Sequence, residues 1–369
     1  MAATQTQFPT TVTRDPADLR RGYSHVDYEV SKDPRYHFSF VLPVTWRVES
    51  ASLITPSPDD PLQVPASFVC NGRQRARIDV LTIRLTRDVA PADWLELFIE
   101  ERGAAVLDQR RFPSPCGPTA DILSRIETRH GVFVSRWLAV KDGDALFIVQ
   151  CCARESDYPD HADDFFTALA TFRLLHPLDW PFAEPVHVLD LPDARGLSLV
   201  LPKSWPIQRD PHSHSNVISY QVTNEINGSA IGALSVAGVA RAAESNAENL
   251  AAAYARGLQR ARVGICRIAL ASGGAQGPFD AVWQGSAEAL QRGKKLEVRV
   301  FVGHCELMWL FAGLAGPARQ THAGAWALNK RGFEILVDYA HFAADDQPTN
   351  ESTTPQEIMS GHGNKASAP

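Results

Sequence analysis

No motif in this 369-residue chain names a reaction. There is no Gly-x-Ser-x-Gly nucleophile turn, and no Ser-x-x-Lys with companion motifs. The glycine-rich stretch Gly273-Gly-Ala-Gln-Gly277 lacks a following Lys-Ser/Thr and runs into Pro278, so it reads as a turn and not as a phosphate loop. Apolar runs are short: the longest candidate, Leu307 to Ala315, falls well below the roughly 18 residues that a membrane-spanning helix needs. The N-terminus, Met1-Ala-Ala-Thr-Gln-Thr-Gln-Phe-Pro-Thr-Thr, has neither the basic nor the apolar region of a secretory signal, which makes a cytoplasmic location the expectation. The sequons at Asn227 and Asn350 then carry no weight. Positive charge is not in excess, with 36 Lys and Arg against 42 Asp and Glu, so neither nucleic acid nor an anionic membrane is an expected partner. Cys70, Cys116, Cys151, Cys152, Cys266 and Cys305 form no CxxC pair and do not recur between the halves of the chain, which argues for buried free thiols.

What the chain does have is a long internal repeat. Phe38-Ser-Phe-Val-Leu-Pro-Val-Thr-Trp46 returns as Leu197-Ser-Leu-Val-Leu-Pro-Lys-Ser-Trp205, an offset of 205 − 46 = 159. Gly131 aligns with Gly293, Ala145 to Ala153 with Leu307 to Ala315, Phe165 with Trp326 and Phe172 with Phe333, at offsets near 161. A period this long is a domain duplication, since solenoid repeats run about 20 to 50 residues. The expected division is a flexible arm at 1–35, a first domain at 36–175, a proline-rich linker at 176–195, a second domain at 196–342 and a disordered tail at 343–369.

Each copy shows the same order of elements. A strand from Tyr36 to Leu42 turns Phe38, Phe40 and Leu42 to one face and stops at Pro43. Thr55 to Pro65 reads as loop because of its prolines, and strand character returns at Arg77 to Leu85. A helix begins at Pro91, with Trp94, Leu95, Phe98 and Ile99 as its apolar stripe and Gly103 at its end. Its counterpart starts at the capping-box pattern Ser245-Asn-Ala-Glu248. Three strands follow in each copy: 121–129, 132–140 and 145–153, then 281–290, 294–302 and 306–314. Lys141-Asp-Gly-Asp144 is a hairpin turn, and a final helix from His161 or His322 closes the unit. The expected fold class is α+β, two tandem antiparallel sheets covered by helices.

With that order in place, Leu42-Pro-Val-Thr-Trp46 and Leu201-Pro-Lys-Ser-Trp205 resemble the PsbP/Mog1/DcrB-like superfamily, whose members often begin with a strand running into Leu-Pro-x-x-Trp. The resemblance spans 36–175 and 197–337 and looks most like the Eag-type effector chaperones of bacterial type VI secretion. It implies a curved antiparallel sheet packed with helices and a non-enzymatic role in holding apolar segments of a protein partner. Those chaperones act as dimers of single domains, whereas two copies here can form the pair within one chain. The resemblance places apolar contacts on the strand after Pro-x-x-Trp, here Val217, Ile218, Tyr220 and Val222, with Ile218 and Tyr220 on one face. The first-copy counterpart is interrupted by prolines.

Candidate chemical groups are sparse. His212-Ser-His214 and His304-Cys-Glu306 offer metal-ligand types, but neighbouring strand residues diverge, and no metal or cofactor is expected. Asp157, Asp160, Asp163 and Asp164 around His161 coincide with a helix start, where carboxylates favour the dipole. Trp46 and Trp205 read as core plugs after strand-ending prolines. The reading is therefore a cytoplasmic adaptor or chaperone for an apolar or amphipathic segment of a protein such as a secreted effector. Two alternatives stand beside it: a small-molecule or enzymatic pocket between the copies using His161, His304 and Glu306, and a structural subunit of a larger assembly.

Overall fold

The computed structural model describes residues 6 to 342 apart from 7, 12–14, 30, 52–61, 72–75, 115–116, 179, 192–195, 212, 214–216, 241–245 and 307. The first unit runs α1 (Pro16–Gly22), β1 (Tyr23–Tyr28), a 3-10 turn (Pro34–Tyr36), β2 (Phe38–Pro43), β3 (Trp46–Ala51), β4 (Leu62–Cys70), β5 (Arg77–Arg84), α2 (Pro91–Glu101), β6 (Ala105–Ser114), β7 (Gly117–Thr128), β8 (Gly131–Asp142), β9 (Ala145–Arg154), α3 (Tyr158–Thr171) and β10 (Arg173–Leu174). The second runs β11 (Val186–Asp190), β12 (Leu197–Pro202), β13 (Ile207–Arg209), β14 (Val217–Ile226), β15 (Ser229–Ala240), α4 (Ala247–Arg260), β16 (Gly264–Ile265), β17 (Ala271–Gly273), β18 (Ala281–Gln291), β19 (Lys294–His304), β20 (Met308–Pro317), α5 (Ala323–Asp338) and β21 (His341–Phe342).

The fold is α+β, and the two units share one topology. The large sheets run β3-β4-β5-β9-β8-β7-β6 and β13-β14-β15-β20-β19-β18-β16, with β17 added beside β18. Small sheets β1-β2-β10 and β11-β12-β21 also correspond, and the pairings within both units are antiparallel. Each large sheet is covered on both faces because its central strands alternate two apolar sets. In β9, Phe147, Val149 and Cys151 join the core under β2 and α3, whereas Leu146 and Ile148 pack toward α2. In the second unit Leu310, Ala312 and Leu314 face β12 and α5, whereas Trp309 and Phe311 face α4.

Several expectations change. Residues 1–35 were expected to be a flexible arm, but 16–22 form α1 and 23–28 form β1, which pairs with β2 along its whole length. Likewise 176–195 includes β11, a strand of the second unit's small sheet. Part of the expected 55–65 loop is strand β4, in which Pro65 sits at a register shift between Gln63 and Ala66, where a missing N–H breaks no ladder bond. The remainder of that loop, and the tail at 343–369, lie outside the described residues. Helix α4 is capped by the Asn246 side chain, which accepts from the Asn249 N–H at 2.8 Å, in place of Ser245. Of the described cysteines, Cys151 and Cys305 are buried, but Cys266 is exposed.

The repeat itself needs two shifts of register. Hairpin ends Thr128↔Gly131 and Gln291↔Lys294 match at an offset of 294 − 131 = 163, and β10 and β21 match at 342 − 174 = 168. Pairing Ala145 with Leu307 would set core-facing Phe147 opposite Trp309, which faces α4; a one-residue slip exchanges the faces of a strand. At the offset of 168 Phe165 corresponds to Phe333, both core residues, and Tyr158 to Trp326.

The units pack head to tail. Helix α2 of the first meets α5 of the second, and Trp326, Ala327 and Leu328 join the apolar cluster around Leu95, Phe98 and Ile99. Because α2 corresponds to α4, and α5 to α3, the joined surfaces are not equivalent. The two copies do pair within the chain, but not as the two-fold dimer that an isologous contact would give.

Candidate partner-binding site

The strand expected to present a binding face is part of the core. Ile218, Tyr220 and Val222 are buried among Leu199, Leu201 and Val236, because this face of β14 points under β12. Val217 is half-buried on the opposite face. The first-unit counterpart is β4, where Phe68 takes the place of Val222 and is equally enclosed.

The other candidates are scattered. His304 packs on Trp309 with the rings tilted and their centroids 4.5 Å apart, while the neighbouring Cys305 is buried and donates to the Met308 carbonyl. His161 is in the other unit, buried between Trp46 and Phe165. His212 and His214 lie outside the described residues. Among the described residues no group of three or more His, Cys, Asp or Glu side chains is placed to hold a metal. Asp157 occupies the N-cap position of α3 without a side-chain capping bond, and the buried Asp164 accepts from the Tyr23 hydroxyl. Trp46 and Trp205 are buried core plugs; Trp205 lies over Gly332, where a Cβ would stand 2.3 Å from the indole.

Charge is concentrated at the seam between units. Asp88 accepts from Lys141 Nζ at 2.6 Å, Arg331 Nε at 2.9 Å and the Ala183 N–H at 2.5 Å. Arg87 reaches Glu184, the Asn224 side chain and the Glu225 carbonyl, while Lys330 holds Asp93 at 2.8 Å. Burial lowers the Lys141 pKa, opposed by Asp88. Desolvation consumes much of the Coulombic gain in such a network, so its main effect is to fix how the units meet.

A second concentration lies on the first unit and involves the N-terminal segment. Arg136 stands on β8 between the core residues Val134 and Leu138, and its side chain is 0% exposed. It binds Asp121 through two bonds, Nε to Oδ1 at 3.0 Å and Nη2 to Oδ2 at 2.7 Å; Arg110 Nε adds a third at 2.8 Å. Phe8 fits over this cluster, its ring centroid 3.8 Å from the Arg110 guanidinium carbon and 4.7 Å from that of Arg136. Phe166 of α3 lies 4.8 Å from the same Arg136 carbon. Arg110 also donates to the backbone carbonyls of Phe8 and Pro9. The first unit thus grips Phe8 and Pro9 by the aromatic face and the carbonyls, cation–π and hydrogen-bond recognition together.

The second unit has the same position in a different state. Arg299 on β19 corresponds to Arg136 (299 − 136 = 163) and pairs with Glu297 at 2.6 Å. Glu297 also accepts from the Trp326 indole N–H. These residues line a small hollow, with room for about one water molecule, together with Asn329 and Lys330.

Sequence reasoning missed Phe8, Arg110, Asp121 and Arg136. A signal for Arg136 was present: an arginine in the alternating set Val132, Val134, Leu138 and Val140, which is otherwise apolar. Phe8 carried none, since its contacts lie about a hundred residues away.

No protein-family model and no curated protein matches the chain. Among solved structures it is similar to cyanobacterial PsbP from Synechocystis sp. PCC 6803, at 11% identity over 42% of this chain and 92% of that one, with a TM-score of 0.33. The Saccharomyces cerevisiae Ran-binding protein Mog1p matches at 12% identity over 43% of this chain and 100% of its own, TM-score 0.27. The type VI secretion immunity protein TplEi from Pseudomonas aeruginosa, complexed with "L" peptide, matches at 14% identity over 83% of this chain and 95% of its own, TM-score 0.23. At such scores none of these bears on what this chain binds.

Proposed function

We propose that this protein is a non-enzymatic, cytoplasmic adaptor or chaperone that holds an extended, aromatic-bearing segment of a protein partner against its first unit. The observation that carries the reading is the grip on Phe8 and Pro9: two guanidiniums on the ring, and Arg110 on both backbone carbonyls. Backbone carbonyls are common to every peptide, and an aromatic ring supplies the selectivity. The second unit, locked to the first through α2 and α5, gives that surface a fixed neighbour. The finer form of the proposal, that the partner is a secreted effector, rests on the Leu-Pro-x-x-Trp resemblance.

A photo-crosslinking residue at the exposed Asp108, two positions from Arg110 on the same face of β6, tests the reading in native cells. One protein is expected to be captured, and Arg110→Ala is expected to abolish that capture. Crosslinks spread over many proteins, or capture indifferent to Arg110→Ala, would reject it.

A further inference from the structure

We infer that the cradle formed by Arg110 and Arg136 is the receptor for an aromatic, acidic segment of a partner protein, and that Phe8-Pro9 is its intramolecular competitor. This rests on the protein-binding reading above and adds the ligand's chemistry and the regulation of the site. Phe8 and Pro9 use the ring faces and two of the Arg110 donors. They leave two other donors unanswered. Arg136 Nη1 and the Tyr158 hydroxyl, in residues that are both fully buried, have no hydrogen-bond partner among the described residues. Buried donors in native structures are nearly all answered by protein, by ordered water or by a bound group.

The chemistry that answers them is a carboxylate. Its two oxygens accept from a guanidinium and a hydroxyl together, and charge-assisted bonds of this kind are among the stronger ones. The local balance agrees: two guanidiniums, Arg110 and Arg136, face the single buried carboxylate of Asp121. Burial pushes the Tyr158 phenol up, so it stays protonated and a donor at neutral pH. The resident segment cannot supply the carboxylate, since Thr6-Gln-Phe-Pro-Thr-Thr11 contains no acidic side chain. It holds the cradle through tethering, with an effective concentration on the order of millimolar, and a partner with an Asp or Glu beside its aromatic residue would displace it.

The test uses the full chain, wild type and Phe8→Ala, with two fluorescein-labelled peptides in trans. One copies the resident segment, Thr-Gln-Phe-Pro-Thr-Thr; the other is its acidic variant, Thr-Glu-Phe-Pro-Glu-Thr. Fluorescence anisotropy is expected to show the acidic peptide binding Phe8→Ala about tenfold tighter than wild type, and about tenfold tighter than the resident copy. Tyr158→Phe, which keeps the ring and removes the donor, is expected to shrink the preference for the acidic peptide. Equal affinity of wild type and Phe8→Ala overturns the competition. Equal affinity for the two peptides, or a preference untouched by Tyr158→Phe, overturns the assigned chemistry. If the Asp108 crosslink still captures one Arg110-dependent protein in those cases, the adaptor reading survives and only this inference fails; if that capture is absent as well, both fail.

Discussion

The two units keep the same strand order and the same helices but cover their terminal helix in different ways. In the second, α5 lies against α2 of the first, and Arg299 remains a quarter exposed beside Glu297 and the small hollow. In the first, no repeat docks on α3 in that manner; Phe8 packs against the core instead, and Arg136 is sealed beneath it. One inherited arginine position has thus become a buried cluster capped by Phe8 in one copy and a half-open surface pair in the other. Duplication explains the freedom to diverge. Once α5 is occupied at the seam, the matching surface of the first unit is left to the N-terminal Phe8.

The largest test of that contrast removes the carboxylate from each arginine. Asp121→Asn strips a fully buried guanidinium of its counter-charge, and breaking a buried pair in this way costs about 3–5 kcal/mol. Glu297→Gln acts on a pair whose side chains are about a quarter exposed, and is expected to cost no more than about 1 kcal/mol. Urea unfolding of the two variants measures both. Equal losses would mean that the two arginines are not in the different states described.

The tryptophan plugs give a smaller contrast. Trp205 lies directly over Gly332, so Gly332→Ala drives a methyl to 2.3 Å from the indole, and overpacking of this kind costs about 1–3 kcal/mol. Asp164 holds the corresponding place in the first unit (332 − 164 = 168) and already carries a Cβ; Asp164→Ala removes the Tyr23 hydrogen bond, worth about 0.5–1.5 kcal/mol. Thermal unfolding that ranks Asp164→Ala as the more damaging would show that the second plug can yield.

The repeat and the α+β class were legible in the sequence because Leu-Pro-x-x-Trp and the alternating runs are local patterns. Register was not. Matching similar letters set Phe147 opposite Trp309, and only the hairpin ends show that these side chains face opposite sides of their sheets. β15 was invisible because Ser229 to Ala240 is built from Ala, Gly, Ser and a few aliphatics, whose strand preference is weak without neighbours. β4 was hidden by the prolines before and within it, although Pro65 marks the irregularity that a proline in a ladder requires. Ile218, Tyr220 and Val222 were correctly seen as one apolar face, but a sequence does not say whether such a face meets a partner or its own β12. Phe8 shows the converse limit: a three-dimensional site made by a single residue in an aperiodic segment leaves no pattern to read.

The finest contrast sets Glu334 against Phe166, which occupy one position on the terminal helices (334 − 166 = 168). Phe166 packs beside Arg136, whereas Glu334 stands 3.8 Å from Lys330 on the seam side of α5. Burial holds the Glu334 carboxyl above its ordinary value of 4.5, with Lys330 pulling it back down. A folded pKa above the unfolded one means that the folded state binds the extra proton between the two. The stability from that proton is therefore complete below 4.5 and is lost as pH rises through the raised value. Gln does not titrate, so Glu334→Gln should lack this loss, and its stability relative to wild type should climb between pH 4 and pH 7. Phe166→Leu changes packing without adding or removing a titrating group, and its offset from wild type should stay level across the same range. Urea midpoints at several pH values measure both; if the Glu334→Gln curve runs parallel to wild type, the burial of that carboxyl at the seam is not what distinguishes the two helices.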